Sequence, residues 1–389
     1  MSDAPAYEID LAAFTADPYP DLARMRAECP ICFVPQLGAT LLTRRDDIHR
    51  QEKRIDVFSS AQPEGLMTRL MGENMMRRDG ETHLAERKIV MQALSPRAIE
   101  THWRPAFRRI AEEILADLAP RGQADLVRDY AMPLAARALC AITGLENMSW
   151  QELDRTSQGM IDGISNYAGD AEVEARCLEC VASIDRHIDE RINDPALAET
   201  PNMMAVMKAA GLDIERIKVN IRLTISGGQN EPRDVIAGAS WALLSHPDQR
   251  ALIEAGEATW DDAFGEYTRW ISPIMMSPRR IARRDTVEGV TFEPEDRAFL
   301  MFGSANRDEA HFEHPERFDI TRDTSAAIVF GSGPHLCAGK WVSRAMIADV
   351  ALPLLFERLP GLRLDPESDT RFTGWAFRGP ITVPVVWDA

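Results

Sequence analysis

The chain is short of cysteine, of basic charge and of long apolar runs, and each shortage excludes something. Six cysteines in 389 residues are too few for a disulfide framework. They include two Cys-x-x-Cys pairs, Cys29/Cys32 and Cys177/Cys180. A zinc centre would need four thiolates in one tetrahedral shell, but the pairs lie far apart in the sequence and no histidine cluster accompanies them. Cys177 and Cys180 stand at i, i+3 of a helical stretch, where small buried residues fit as well. Cys140, in the apolar run LAARALCAITGL, reads the same way. Lys and Arg total 44 against 61 Asp and Glu, a formal net charge of −17. That balance excludes the basic footprint of a nucleic-acid binder. No apolar run approaches the ~20 residues that span a bilayer, so no membrane protein is expected. The N-terminal MSDAPAYEIDLAAF is acidic and lacks the order of a signal peptide. A cytoplasmic protein is expected.

What is present reads as a soluble globular chain, 45% hydrophobic and 27% charged. A helix is expected around Pro20–Cys29, then strand-like pieces at Phe33–Val34 and Ala39–Thr43. From Pro96 to about Ala255 apolar residues recur at three and four spacings, as in FRRIAEEILADLA, and predict helices. Short strands return between Pro273 and Phe299. A long irregular stretch follows from Asn306 to Gly333, then a last helix from Cys337 to about Leu359 and a C-terminal strand. Repeats, low-complexity segments and Gly/Ser linkers do not occur. The expected fold is mainly α: one helix-rich domain over residues 1–389 with small peripheral β-sheets.

The segment FGSGPHLCAGK, Phe330 to Lys340, carries the chemistry. It is not a phosphate loop: the position that should hold the first glycine is Pro334, and Trp341 follows Lys340 where Ser or Thr is required. A lone cysteine in a glycine-rich loop at a helix start has N–H groups and a helix dipole near its sulfur, and both favour the thiolate. A haem iron needs such a thiolate as its proximal ligand.

Phe330-x-x-Gly333-x-His335-x-Cys337-x-Gly339 resembles the haem-binding loop of the cytochrome P450 superfamily. Glu266-Tyr-Thr-Arg269 is similar to its Glu-x-x-Arg helix motif, and Pro315-Glu316-Arg317-Phe318 to the meander that follows. The resemblance implies a P450 fold, haem b with Cys337 as iron ligand, and a buried ion network of Glu266, Arg269 and Arg317. It assigns the haem contacts to His83, Arg87, Arg280, His335, Phe330, Gly331 and Gly339, with Arg279 as the neighbouring register of Arg280.

In the oxygen-side helix LTISGGQNEPRDVIAGASWALL the superfamily pattern Ala/Gly-Gly-x-acid-Thr is altered. Gly227-Gly228-Gln229-Asn230-Glu231-Pro232 stands there, so Asn230 replaces the acid and Glu231 the alcohol. A mid-helix proline costs about 3 kcal/mol, and a kink freeing carbonyls near Gly227 and Gly228 is expected. Glu231 and Asn230 are the catalytic candidates. The same departure resembles a branch of bacterial P450s that O-demethylate methoxyphenols such as guaiacol and syringol. Gly374-Trp375-Ala376-Phe377-Arg378-Gly379-Pro380 is similar to that branch's turn, and Ile271-Ser272-Pro273-Ile274 echoes its sequence before the propionate arginine. By that resemblance Phe377, Ile274, Leu223, Gly227, Gly228, Ile164 and Leu70 border the substrate, the last two where the branch has aromatic residues.

The implied activity is a haem-thiolate monooxygenase that takes a small aromatic substrate and O2, demethylates a methoxyarene, and accepts peroxide in place of O2 and electrons. Alternatives are a hydroxylase of a terpenoid, steroid or fatty acid, and a non-enzymatic haem-thiolate sensor or carrier. Electrons are expected from a separate partner, a ferredoxin with its reductase or a flavin/iron–sulfur reductase. Arg77, Arg78, Lys88, Arg108, Arg109, Lys340 and Arg344 are the expected basic patch for it.

Overall fold

The computed structural model describes residues 1–167 and 169–388. The chain gathers into two compact units, each discontinuous in sequence. One comprises residues 1–62, 238–337 and 368–383; the other comprises 63–237, 338–367 and the residues from 384 on. The helices used below are α1 (Gly80–Ala93), α2 (Trp150–Ile164), α3 (Ala171–Arg191), α4 (Ile214–Ser226), α5 (Asn230–Ser245), α6 (Trp260–Ile271) and α7 (Lys340–Met346). The strands are β1 (Ile31–Val34), β2 (Ala39–Leu42), β3 (Phe58–Ser59), β4 (Ser277–Ile281) and β5 (Arg297–Leu300).

The first unit is built on a five-stranded sheet of order β1-β2-β5-β4-β3. β1 and β2 form an antiparallel hairpin with Val34 opposite Ala39, close to the strand positions expected. β2 then runs parallel to β5, the one parallel pairing in this sheet. All four β2 residues are buried, Thr40 included, so the alternation expected of this strand is not seen in its burial: it is paired on both edges inside the sheet. Phe14, Leu22, Phe58, Phe292 and Phe299 close the core around it. The expected N-terminal helix occupies Tyr19–Glu28.

The second unit is mainly helical, with one small sheet of Gln123–Asp125, Pro384–Val386 and Arg363–Leu364. The Arg104–Leu118 helix buries Phe107, Ile110, Ala111, Ile114, Leu115 and Leu118, the three-and-four spacing of one apolar stripe. Trp103 Nε1 donates to the Ala93 carbonyl at 2.7 Å, and the Tyr130 hydroxyl to the Ala351 carbonyl at 2.8 Å. The expected last helix is present as α7, a π-wound stretch Ile347–Ala351, and Leu352–Arg358.

α2 and α3 meet along a seam of sulfur and glycine. A β-carbon on Gly159 would run into Cys180 Sγ, and one on Gly163 would stand 2.5 Å from Cys177 Sγ. Both cysteines are buried and fill the seam as small side chains. Cys32 is likewise a core residue, its thiol pushed up to about 12 by burial. No helix of the described residues is long and apolar enough to cross a membrane.

Candidate functional site

The loop before α7 carries Cys337. Gly331 and Gly333 adopt φ of 69° and 66°, which side chains resist. A β-carbon on Gly333 would also stand 3.0 Å from the Glu52 carbonyl oxygen. The loop folds back so that the Cys337 N–H donates to the Phe330 carbonyl at 2.9 Å. The Phe330 ring tilts against Phe264 of α6, with centroids 6.2 Å apart. His335 ends the single turn Gly333–His335, and Gly339 caps α7. Of the six cysteines only Cys337 is exposed. A soft sulfur donor presented by a rigid loop suits a haem iron, so this donor set fits the group.

In the same unit Glu266 and Arg269 are fully buried and paired at 2.7 Å. The pair is bidentate, with Arg269 Nε also 2.7 Å from the second carboxylate oxygen. The remaining N–H groups of Arg269 reach the carbonyls of Asn306, Pro315 and Arg317 at 3.0, 2.9 and 3.1 Å. They stitch α6 to the irregular stretch that follows. The third arginine is not the expected one. The turn at His314 points the Arg317 carbonyl inward, which leaves its side chain 69% exposed. Arg322, 11% exposed, reaches Glu266 at 3.4 Å instead. Arg269→Ala should leave the Glu266 carboxylate buried without its partner and cost about 3–5 kcal/mol. Urea unfolding of the haem-loaded protein checks this.

Among the residues expected at the haem carboxylates, His83 is buried and its Nδ1 lies 2.9 Å from the Met75 carbonyl. Nδ1 therefore carries the hydrogen, and Nε2 can donate to a carboxylate only when the ring is protonated. Arg87 stands one turn further along α1, half-buried. Arg280 and its neighbour Arg279 face different partners. The Arg280 Nε donates to the Ala61 carbonyl at 2.9 Å and its guanidinium pairs with Glu295. Successive strand residues point to opposite faces, so Arg279 turns the other way. It is 4% exposed and lies 3.5 Å from Glu52, whose other oxygen accepts from Ser332 of the cysteine loop at 2.8 Å. Arg279 is the arginine on the cysteine-loop side.

The stretch expected as one kinked helix is two helices in the second unit, since α4 ends at Ser226 and α5 starts at Asn230. A β-carbon on Gly228 would stand 2.5 Å from the Thr224 carbonyl oxygen. Pro232 falls in the first turn of α5, where its missing N–H costs nothing. The proline opens the second helix and does not bend the first. Gln229 Nε2 donates to Asp154 of α2 at 2.8 Å. Asn230, 4% exposed, accepts from Ser157 and donates to Gln158, both at 3.3 Å. Its amide braces the break against α2. Glu231 is half-buried, with Oε2 sealed from solvent and without a hydrogen-bond partner. Burial drives its pKa up to about 7; Asp234 adds to the rise and Arg233 opposes it. Arg233 is itself taken up by Asp234 at 2.9 Å and Asp154 at 3.6 Å.

Two of the expected substrate residues are brought together in the first unit. Met275 N–H donates to Ala376 O and Arg378 N–H to Pro273 O, both at 2.9 Å. This short antiparallel pairing sets Ile274 opposite Phe377. Trp375 anchors the turn against Phe14 and Phe299, with centroids 6.0 and 5.9 Å away. In the second unit Leu70 packs on α2 beside Gly163, next to Ile164. Leu223 is buried on α4, whereas Gly227 and Gly228 line the break. The basic patch is smaller than expected. Arg77 is buried, Arg78 pairs with Glu73 and Glu86, and Arg108 and Arg109 face Glu112 and Glu113. Lys340 lies 4.9 Å from the centroid of the exposed Trp341 ring.

Residues 261–360 match the family model described as Cytochrome P450. The chain is 30% identical to the mycinamicin IV hydroxylase/epoxidase of Micromonospora griseorubida over 79% of its own length and 78% of that protein. It is 27% identical to the vitamin D(3) 25-hydroxylase of Pseudonocardia autotrophica, over 92% and 90%. The fold superposes on the crystal structure of CalO2 with a TM-score of 0.87, covering 98% and 99% of the two chains at 23% identity.

Proposed function

Because this chain belongs to the cytochrome P450 family and is a haem-thiolate monooxygenase, we propose that it oxidises an aryl methyl ether at its methyl carbon. The hemiacetal so formed collapses to a phenol and formaldehyde. When bound, haem supplies the iron at which O2 is activated with two electrons from a separate redox partner. Cys337 would hold that iron, and His83, Arg87 and either Arg279 or Arg280 would hold the haem carboxylates through charge-assisted bonds. Phe377 and Ile274 form a wall for the substrate ring. Glu231 keeps a proton at Oε2 for delivery on the oxygen side. The reaction is placed in the cytoplasm.

The observation that carries this reading is the unpartnered, buried carboxyl oxygen of Glu231 at the helix break, within a Gly-Gly-Gln-Asn-Glu-Pro segment that resembles the demethylase branch. A second reading, hydroxylation of a terpenoid, steroid or fatty acid, is favoured by two relatives named for mycinamicin IV and vitamin D(3). Leu70 and Ile164 also offer no ring for stacking. A spin-shift titration of the ferric protein with guaiacol, syringol, methoxybenzoates, a terpene, a steroid and a fatty acid separates the two. A shift confined to the non-aromatic ligands would end the demethylase reading.

Phe377→Ala should weaken the best aromatic ligand by about 0.5–1.5 kcal/mol beyond the lost contact area. The same titration measures it. Unchanged affinity with a lowered melting temperature would return Phe377 to the core.

A further inference from the structure

We propose that Glu52 is a positioning residue for the thiolate ligand, its carboxylate clasping Ser332 and sharing Arg279 so that the Phe330–Gly339 loop is held where it presents the sulfur of Cys337. No recognised motif contains Glu52. It follows the Arg45–Gln51 helix, and its N–H donates to the Ile48 carbonyl at 3.0 Å, so its backbone is fixed. The side chain is 2% exposed. One carboxylate oxygen accepts from Ser332 Oγ at 2.8 Å, and the Ser332 N–H binds the same group. The other oxygen lies 3.5 Å from Arg279.

The loop is also seated on Glu52 by shape. A β-carbon on Gly331 would stand 3.1 Å from the carboxylate and one on Gly333 3.0 Å from the Glu52 carbonyl oxygen. A loop that left this seat would strand a buried carboxylate, a heavy cost. Arg279 and Lys53 are the cations that face Glu52 and favour its charged form, against burial, which pushes its pKa up. Arg279 has further acceptors in Ser277 Oγ and the Pro278 carbonyl, so the carboxylate is not needed merely to satisfy it. Glu52 therefore does two separable things. It clamps the loop through Ser332, and it places a negative charge beside the segment that ligates the iron.

The test uses haem-loaded Glu52→Gln, Glu52→Ala and Ser332→Ala. Three quantities are measured: the thiolate-type share of the ferrous carbon monoxide spectrum, the rate of haem transfer to apomyoglobin, and the reduction potential. Ser332→Ala removes one hydrogen bond to a buried charge and should speed haem transfer about tenfold, with the potential unchanged. Glu52→Gln keeps an acceptor for Ser332 but loses the charge, so the potential should rise. Glu52→Ala should show both effects and a smaller thiolate-type share. If Glu52→Ala does not fold, the other two variants decide. A potential that stays put in Glu52→Gln, or haem transfer unchanged in Ser332→Ala, overturns the proposal.

Discussion

Replacing Cys337 by histidine is expected to abolish the thiolate-type carbon monoxide spectrum of the reduced protein and all oxygenation, while part of the haem is retained. The reasons lie in the loop. Cys337 is held by its own N–H to the Phe330 carbonyl, and two left-handed glycines fix the approach. A histidine can still reach an iron, since imidazole is a competent axial ligand. It cannot supply the electron density of a thiolate. Haem content by pyridine haemochrome and the carbon monoxide difference spectrum give the two readouts. Persistence of the thiolate-type band in Cys337→His would mean that another sulfur ligates the iron.

Glu231→Gln should cut product per electron by about a hundredfold, the lower range for loss of a positioned general acid. The substitution keeps shape and volume but removes the titratable proton. In the parent, Glu231 titrates near pH 7 because burial disfavours its charge. Product yield per NADH, and per hydrogen peroxide added without partner proteins, should therefore fall as pH rises through about 7. The Gln variant should be flat across that range. Stability follows the same sign. The folded-state pKa is raised, so the folded protein binds the proton more tightly than the unfolded chain. The contribution is full below about pH 4.5 and is lost as pH rises through about 7, by about 3 kcal/mol in all. Glu231→Gln should remove this slope from urea unfolding. Coupling equal to the parent across neutral pH would deny Glu231 the proton role.

The parts of the site that were legible in the sequence are those held within one short segment. The Phe330–Gly339 loop, the Glu266/Arg269 pair at i, i+3 and the interrupted Gly227–Pro232 stretch each announce themselves by local spacing. Contacts made by returning chain were not legible. Arg317 stands in the recognisable meander, yet Arg322 reaches Glu266, because only the fold of the irregular stretch decides which arginine comes back. Arg279 and Arg280 differ by one residue, and a strand's two-sidedness is invisible until its pairing is known. Glu52 has no sequence signal at all; its meaning depends on a loop 280 residues away. Asn230 fills a motif position in the sequence, but its contacts with Ser157 and Gln158 of α2 come from chain 73 and 72 residues earlier and carry no local signal.

The sulfur-and-glycine seam between α2 and α3 acts at a distance. α2 is the helix whose Asp154, Ser157 and Gln158 grip Gln229 and Asn230 at the break. Directly after Gln158 and one turn beyond, Gly159 and Gly163 bring its backbone down onto the sulfurs of α3. The spacing of that contact therefore sets the height of the lever on which the break rests. A methyl group inserted in the seam lifts α2 and drags the grip with it. The packing of two small residues on two sulfurs thus fixes where the side chains that hold the break stand, although the seam itself contains none of them.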